Sequence, residues 1–248
     1  MIEERIVSRK NSLLQQVRRL LSSRKERLET GLFVADGTKL LAEAVHWWPG
    51  LETVILSDGV DADIPENVRV VRVPCDVMSY ISPMETPQGA LFICRLPQKA
   101  EFVPKPGMLL LDGIQDPGNL GTILRTADAL DVPVALLEGC ADPYSHKVVR
   151  ASMGAVLRTV AVQTTWETAA KRLQMAQIPI GVTALSDTAK DIRHAELSEM
   201  AVVIGSEGQG VRSEILQAAS HQLIIPMNER CESLNAAIAS AIVMWQMK

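Results

Sequence analysis

Residues 108–130 read MLLLDGIQDPGNLGTILRTADAL. The unbroken apolar run Met108–Leu111 ends on an acid and a glycine, a Pro117-Gly118 turn follows, and apolar residues at helical spacing continue from Leu120 to Leu130. Short continuous apolar runs are what strands look like when helices cover both faces of a parallel sheet. The same kind of run recurs at Pro133–Leu137, Thr159–Val162, Pro179–Val182, Ala201–Ile204 and Leu223–Ile225. Helical patterns at Lys147–Ala155, Glu167–Ala176 and Ser213–Ala219 fall between most of them. This alternation predicts an α/β domain with a parallel sheet. The closing helix, Ser233 to Met247, is apolar almost all round, so it must be buried on more than one side, either in a dimer interface or deep in the core.

Upstream, residues 96–106 carry Pro97, Pro104 and Pro106 and few apolar residues, which marks a linker. Residues 1–95 alternate on a smaller scale and form their own α/β domain. A helix is expected over Asn11–Leu28, a strand at Leu32–Ala35 and a helix at Gly37–Trp48. Strands follow at Thr53–Leu56 and Val68–Val73, then a short helix capped by Asp76 and a strand at Ala90–Cys94. The chain of 248 residues has net charge −4, yet residues 1–30 carry eight cations against four acids. A basic element on an acidic body is a footprint for a polyanion, or simply a solvated helix face. No apolar run approaches the ~18 residues that span a bilayer, and the charged start Met1–Lys10 does not resemble a secretory signal. Cys75, Cys94, Cys140 and Cys231 lie far apart and make no CxxC pair. Neither a metal site nor a disulfide framework is expected, and a cytoplasmic location fits.

Three loops join a strand end to a helix start, where ligands collect in open α/β sheets. In the first, Asn119 is a good helix cap and Arg125 lies nearly two turns into a largely apolar helix; read locally, Arg125 pairs with Asp128. The second, VVIGSEGQGV at 202–211, places Gly205, Gly208 and Gly210 after a buried strand, so that backbone amides can face a ligand, with Glu207 among them. The spacing G-x-x-G-x-G is not the dinucleotide fingerprint. In the third, a strand ends at Pro226, a polar loop follows, and Ser233 is placed to cap the last helix with Asn235 in its first turn.

Taken together, NLGTILRTADAL, VVIGSEGQGV and IPMNERCESLNAAIASAI closely resemble the three motifs of the SpoU/TrmH family of RNA ribose methyltransferases, and KVVRASMGA is also near its consensus. The stretch RLETGLFVADGTKLLAEA resembles the substrate-binding domain that often precedes the family's catalytic domain. The third motif departs in one place: Asn228-Glu229-Arg230-Cys231 stands where a small glycine-containing turn is usual. The resemblance implies an RNA-binding domain over 1–95 and a catalytic domain over 107–248 with a trefoil knot. It also implies a homodimer formed through the catalytic domain and S-adenosyl-L-methionine as cofactor. It assigns cofactor contacts to Gly205, Ile225 and Leu234, and catalytic roles to Asn119, Arg125, Glu207, Ser233 and Asn235. The reaction expected is methylation of a ribose 2′-hydroxyl, in ribosomal rather than transfer RNA by analogy with the two-domain layout. The resemblance implies Arg125 as general base; arginine is a reluctant base, so stabilisation of negative charge on the attacking oxygen is the preferred role, and both stay open at this level.

For RNA contacts, Arg9, Lys10, Arg18 and Arg19 on the basic first segment are candidates. Lys147 and Arg150, three apart within the acid-free stretch 144–166, are the others. Two alternatives remain at this level: a non-catalytic RNA-binding protein, and an oxidoreductase holding a nucleotide in the Gly205–Gly210 loop.

Overall fold

A computed structural model describes residues 4–186, 188–206, 208–228 and 230–248. Along the chain the first elements are β1 (Glu4–Arg5), α1 (Ser12–Ser22), α2 (Arg24–Thr30), β2 (Leu32–Asp36), α3 (Thr38–Trp47), β3 (Leu51–Ser57), β4 (Arg69–Val73), α4 (Cys75–Ile81) and β5 (Ala90–Arg95). Then come β6 (Met108–Asp112), α5 (Pro117–Ala129), β7 (Val134–Leu136), α6 (His146–Ala151), α7 (Ala155–Arg158), β8 (Val162–Gln163), α8 (Trp166–Met175), β9 (Ile180–Thr183) and β10 (Lys190–Asp191). The chain closes with β11 (Ala201–Gly205), α9 (Ser213–Ala218), β12 (His221–Ile224) and α10 (Ala236–Gln246).

Two compact units result. One holds residues up to Gln98 together with Tyr144–Arg158; the other holds Lys99–Pro143 and Thr159–Lys248. The first unit is therefore not contiguous in sequence, and α6 and α7 pack with it although they follow the first two strands of the parallel sheet. The reason is apolar: Tyr144 sits on Phe33, with ring centroids 5.1 Å apart, and Phe33 meets Trp48 edge-on at 5.7 Å.

In the first unit a five-stranded mixed sheet runs in the order β1-β4-β3-β5-β2. Leu14, Val17 and Leu20 of α1 and Met78 and Ile81 of α4 cover one face, against Val34, Ile55, Val71 and Ile93. The expected single helix over Asn11–Leu28 is two. Ser23 adopts an extended conformation, ends α1, and its hydroxyl accepts from the Glu26 N–H at 3.2 Å to start α2. Arg27, counted among the basic residues of this segment, is buried (5% exposed). Asp76 is not a cap: α4 starts at Cys75 after Pro74, which leaves the Asp76 carboxylate on the surface.

In the second unit seven strands, all parallel, run β10-β12-β9-β11-β6-β7-β8. The central β6 and β11 are buried throughout apart from Gly205, as their apolar runs require. Leu110 and Val203 point into a core with Trp166, Leu173, Val182 and Ile215. On α5, α10 packs along one side. The expected helix over Lys147–Ala155 breaks into α6 and α7 at Met153 and Gly154, both with positive φ.

Truncating Leu110 at the centre of this sheet should cost about 2–5 kcal/mol of stability. The exposed Leu28→Ala should stay within about 0.5 kcal/mol of wild type. Urea unfolding of both variants, followed by fluorescence, checks the difference.

Candidate active site

The carboxyl ends of β9, β11 and β12 open into one cavity of about 530 Å3. Pockets of roughly 300–1,000 Å3 accommodate small molecules and cofactors. The three positions selected for cofactor contact, Gly205, Ile225 and Leu234, all line it, and so does Ser233. Sequence reasoning missed the stretch Thr183–Leu185 and Met227, which complete the walls.

The floor is made by backbone. At the end of β11 the chain turns back on itself: the Ser206 N–H donates to the Gly210 carbonyl at 3.1 Å, and the Gly210 N–H returns a bond to the Ser206 carbonyl at 3.0 Å. A Cβ on Gly205 would overlap the Gly210 carbonyl and the Val211 nitrogen, so only glycine fits. Gly210 has φ +65° and Gly208 faces open space. Glu207 lies outside the described residues. The loop thus closes tightly on its own strand, and the helix after it, α9, is only six residues long. This is not the strand–glycine turn–long helix arrangement of a dinucleotide site.

An ion-pair cluster missed from sequence holds the far side of the loop. Asp112, at the end of β6 and only 2% exposed, accepts from the Arg212 backbone N–H at 2.9 Å and from its Nε at 2.7 Å. The same guanidinium donates to Glu138 at 3.0 Å and pairs with Glu214 at 3.1 Å. Burial opposes the Arg212 charge, but the hydrogen bonds and charges of Glu138 and Asp112 outweigh it and raise the guanidinium pKa. Burial likewise opposes ionisation of Glu138, and backbone amides, including the Trp166 N–H at 3.1 Å, together with Arg212 overcome it, so its pKa falls. A signal was present: Asp112 and Glu138 each follow an apolar run at a strand's carboxyl end.

The first and third motif loops meet through Asn119 and Asn235. Asn235 Nδ2 donates to Asn119 Oδ1 at 3.0 Å. The capping expected of Asn119 and Ser233 is done by others. Asp116 caps α5, accepting from the Asn119 N–H at 2.8 Å, because Pro117 is well suited to the first helical position and moves the start three residues upstream. Asn235 caps α10, with its Oδ1 accepting from Ala237 at 2.9 Å and Ile238 at 3.3 Å. Those substitutions release the Asn119 side chain for Asn235 and the Ser233 side chain for the cavity. Arg125 is exposed on α5 and makes no hydrogen bond or ion pair among the described residues. Its expected partner Asp128 accepts instead from Thr159 Oγ1 at 2.9 Å. In the unusual stretch of the third motif, Asn228 Oδ1 accepts from the Arg230 N–H and its carbonyl from the Cys231 N–H, closing a turn without glycine.

The six candidate RNA-contact residues all lie in the first unit. Arg9 pairs with Asp76 at 2.9 Å, Arg19 with Glu26 at 2.9 Å, and Arg150 with Asp36 at 3.5 Å. Arg18 donates to the Tyr80 hydroxyl and lies over its ring, while Lys10 and Lys147 are exposed. Exposed ion pairs contribute only ~0–1 kcal/mol, so Arg9 and Arg19 can exchange their carboxylates for phosphate.

S-adenosylmethionine, the cofactor implied by the resemblance, suits this cavity: glycine backbone offers amides at close range, and Leu223, Ile225 and Leu234 offer apolar walls for a flat ring. Gly205→Ala should therefore weaken cofactor binding by about 10–100-fold, the equivalent of the ~1–3 kcal/mol that overpacking typically costs. Gly208→Ala, in open space, should bind within about threefold of wild type. Calorimetric titration of the two variants decides it.

Residues 106–245 match the SpoU rRNA Methylase family, and residues 11–91 match the MRM3-like substrate binding domain. The chain is 29% identical to the 23S rRNA (guanosine(2553)-2'-O)-methyltransferase RlmP of Bacillus subtilis, over 99% of both chains. It is 31% identical to an uncharacterized tRNA/rRNA methyltransferase of Synechocystis sp., over 98% of this chain and 93% of the other. Among solved structures it resembles an AdoMet-bound rRNA methyltransferase from Sinorhizobium meliloti, with a TM-score of 0.86 and 29% identity over 99% of this chain and 97% of that one. The matched span 106–245 takes in every strand of the parallel sheet and all three loops, and the chain belongs to the SpoU rRNA Methylase family.

Proposed function

We propose that the protein methylates a ribose 2′-hydroxyl of ribosomal RNA, with S-adenosylmethionine as methyl donor. The observation that carries this reading is the convergence of three loops. The glycine loop and the third loop enclose the 530 Å3 cavity, and the Asn235–Asn119 bond ties the third loop to the first beside it. The oxidoreductase alternative has neither the loop geometry nor the family behind it, and a purely RNA-binding role is set aside by the methyltransferase family match.

The cofactor, when bound, supplies an electrophilic sulfonium methyl group. What the chain must supply is alignment and help for a poor nucleophile. Gly205, Ile225 and Leu234 hold the cofactor. Asn119 and Asn235 fix each other and the start of α10, giving a rigid edge against which a ribose can be set. Arg125, whose guanidinium has no carboxylate partner among the described residues, is available to stabilise the oxyanion as the 2′-proton leaves to phosphate or water. Ser233, on the cavity wall, can hydrogen-bond to substrate or cofactor.

The same reading includes a homodimer, a trefoil knot in the catalytic unit and a cytoplasmic location. In support of the dimer, α10 buries Ala237, Val243 and Met244 but exposes Ile238 (52%), Ile242 (37%) and Trp245 (72%) on another face. Three large apolar side chains at i, i+4 and i+7 form a stripe that water disfavours. In support of the knot, β11 inserts between β9 and β6 in the sheet while β12 lies beyond β9, an order that simple sequential winding does not give. The location follows from the substrate proposed and from relatives in bacteria.

Four outcomes test this. Arg125→Ala should lose about 10²–10³ in transfer rate while binding S-adenosylmethionine normally; near-full activity on ribosomal RNA would remove Arg125 from the mechanism. Arg125→Lys separates roles: activity that is low and flat with pH marks bidentate positioning, and activity that climbs with pH marks a base. Trp245→Lys should convert a dimer to a monomer in sedimentation at micromolar concentration, and a wild-type monomer would sink the dimer. Mapping 2′-O-methyl sites in cells lacking the gene tests the substrate itself.

A further inference from the structure

A second concavity, of about 440 Å3, lies in the first unit between α1, the end of α4 and the start of α6. One of its two arginines, Arg19, is paired with Glu26 at 2.9 Å; the other, Arg18, is not. Its polar lining is Gln15, Arg18, Arg19, Tyr80 and His146 with two serines, and among the described residues no carboxylate lines it; Leu21, Ile81 and Pro83 form an apolar wall. Its volume is within the range of small-ligand sites.

Arg18 is arranged before any ligand arrives. Its guanidinium lies 4.4 Å from the centroid of Tyr80 and donates to the Tyr80 hydroxyl, and it has no carboxylate partner among the described residues. Arg9 lies 5.3 Å from the same ring. The Arg9 charge is already met by Asp76 at 2.9 Å, so Arg18 is the guanidinium on this ring that has no carboxylate among the described residues and can take a phosphate. The Tyr80 phenol reflects the same field: a hydrogen bond from Gln15 and then the charges of Arg18 and Arg9 lower its pKa despite some burial. His146 Nδ1 is buried and makes no hydrogen bond among the described residues, and burial pushes the His146 pKa down, which favours the neutral ring along the groove.

A cation held over an aromatic ring, an apolar wall and an imidazole make up the chemistry that receives an unstacked base with its phosphate. We propose that this groove holds one unstacked nucleotide of the RNA substrate, with its phosphate on Arg18 and its base along Leu21, Ile81 and Pro83. The proposal rests on the reading of RNA as substrate and names where the first unit grips it. Since the groove selects a splayed nucleotide rather than a helix, the substrate should present a single-stranded loop or bulge to the first unit.

The test uses the intact protein and a short single-stranded oligoribonucleotide containing 4-thiouridine. Irradiation followed by mass spectrometry should place crosslinks on Tyr80, His146 or the α1 face that carries Arg18. In fluorescence anisotropy, Arg18→Gln should bind the oligonucleotide about tenfold more weakly and lower the slope of log affinity against log salt by about one. Arg24→Gln, an exposed arginine outside the groove, should change affinity less than twofold. Uridine 5′-monophosphate should compete at concentrations where inorganic phosphate does not. Crosslinks that fall only elsewhere, equal losses for Arg18→Gln and Arg24→Gln, or equal competition by inorganic phosphate would each overturn the groove while leaving RNA binding intact. If the wild-type protein neither binds the oligonucleotide nor methylates ribosomal RNA, the reading of RNA as substrate falls, and the groove with it.

Discussion

The backbone contact between Gly205 and Gly210 is the constraint on which the catalytic unit turns. A strand ends and the chain folds straight back over it, so closely that any side chain at 205 would occupy the place of the Gly210 carbonyl. That closure leaves a shelf of main-chain groups at the carboxyl end of β11, beside the end of β9 with β12 beyond it, and the cavity forms over it. The other end of the loop is fixed by Arg212, whose backbone and side chain both bind the buried Asp112. A buried carboxylate is costly unless it is paired and hydrogen-bonded. Here the pairing also fastens the loop to β6, the neighbouring strand, and places Val211 in the core.

Division of labour among polar side chains does the rest. Helix starts need side-chain acceptors, and in both loop-to-helix junctions the acceptor is not the residue the local pattern favours. Asp116 takes the role at α5 and Asn235 at α10. Asn235 uses its oxygen for the cap and its amide nitrogen for Asn119, so one side chain both starts a helix and ties two loops together. An aspartate in its place would cap equally well but would have no donor for Asn119.

The first unit is organised around aromatic and charged contacts that cross long sequence distances. Tyr144 packs on Phe33, Arg150 pairs with the buried Asp36, and Arg158 pairs with Glu43. A segment that follows the first two strands of the parallel sheet therefore belongs to the other unit's core. Of the basic residues in 1–30, Arg27 is spent inside that core, while Arg9, Arg18 and Arg19 remain at the surface, and of these three Arg18 alone has no carboxylate partner among the described residues.

By itself the sequence determined the α/β class, the order of strands and helices in the parallel-sheet unit, and the family. Each of these follows from local pattern: unbroken apolar runs such as Met108–Leu111 and Ala201–Ile204, and motif residues spaced within single loops. The family resemblance, not periodicity, singled out Gly205, Ile225, Ser233 and Leu234, which line the cavity, while Thr183–Leu185 and Met227 carried no such signal. Only the tertiary structure decided the Asn119–Asn235 bond, the Asp112–Arg212–Glu138 cluster, the helix break at Ser23, and the membership of residues 144–158 in the first unit. These join residues far apart in the chain, or depend on which of two adjacent polar side chains wins a cap. Periodicity carries no information about either, because the energies that settle them come from partners that only the fold brings within hydrogen-bonding distance.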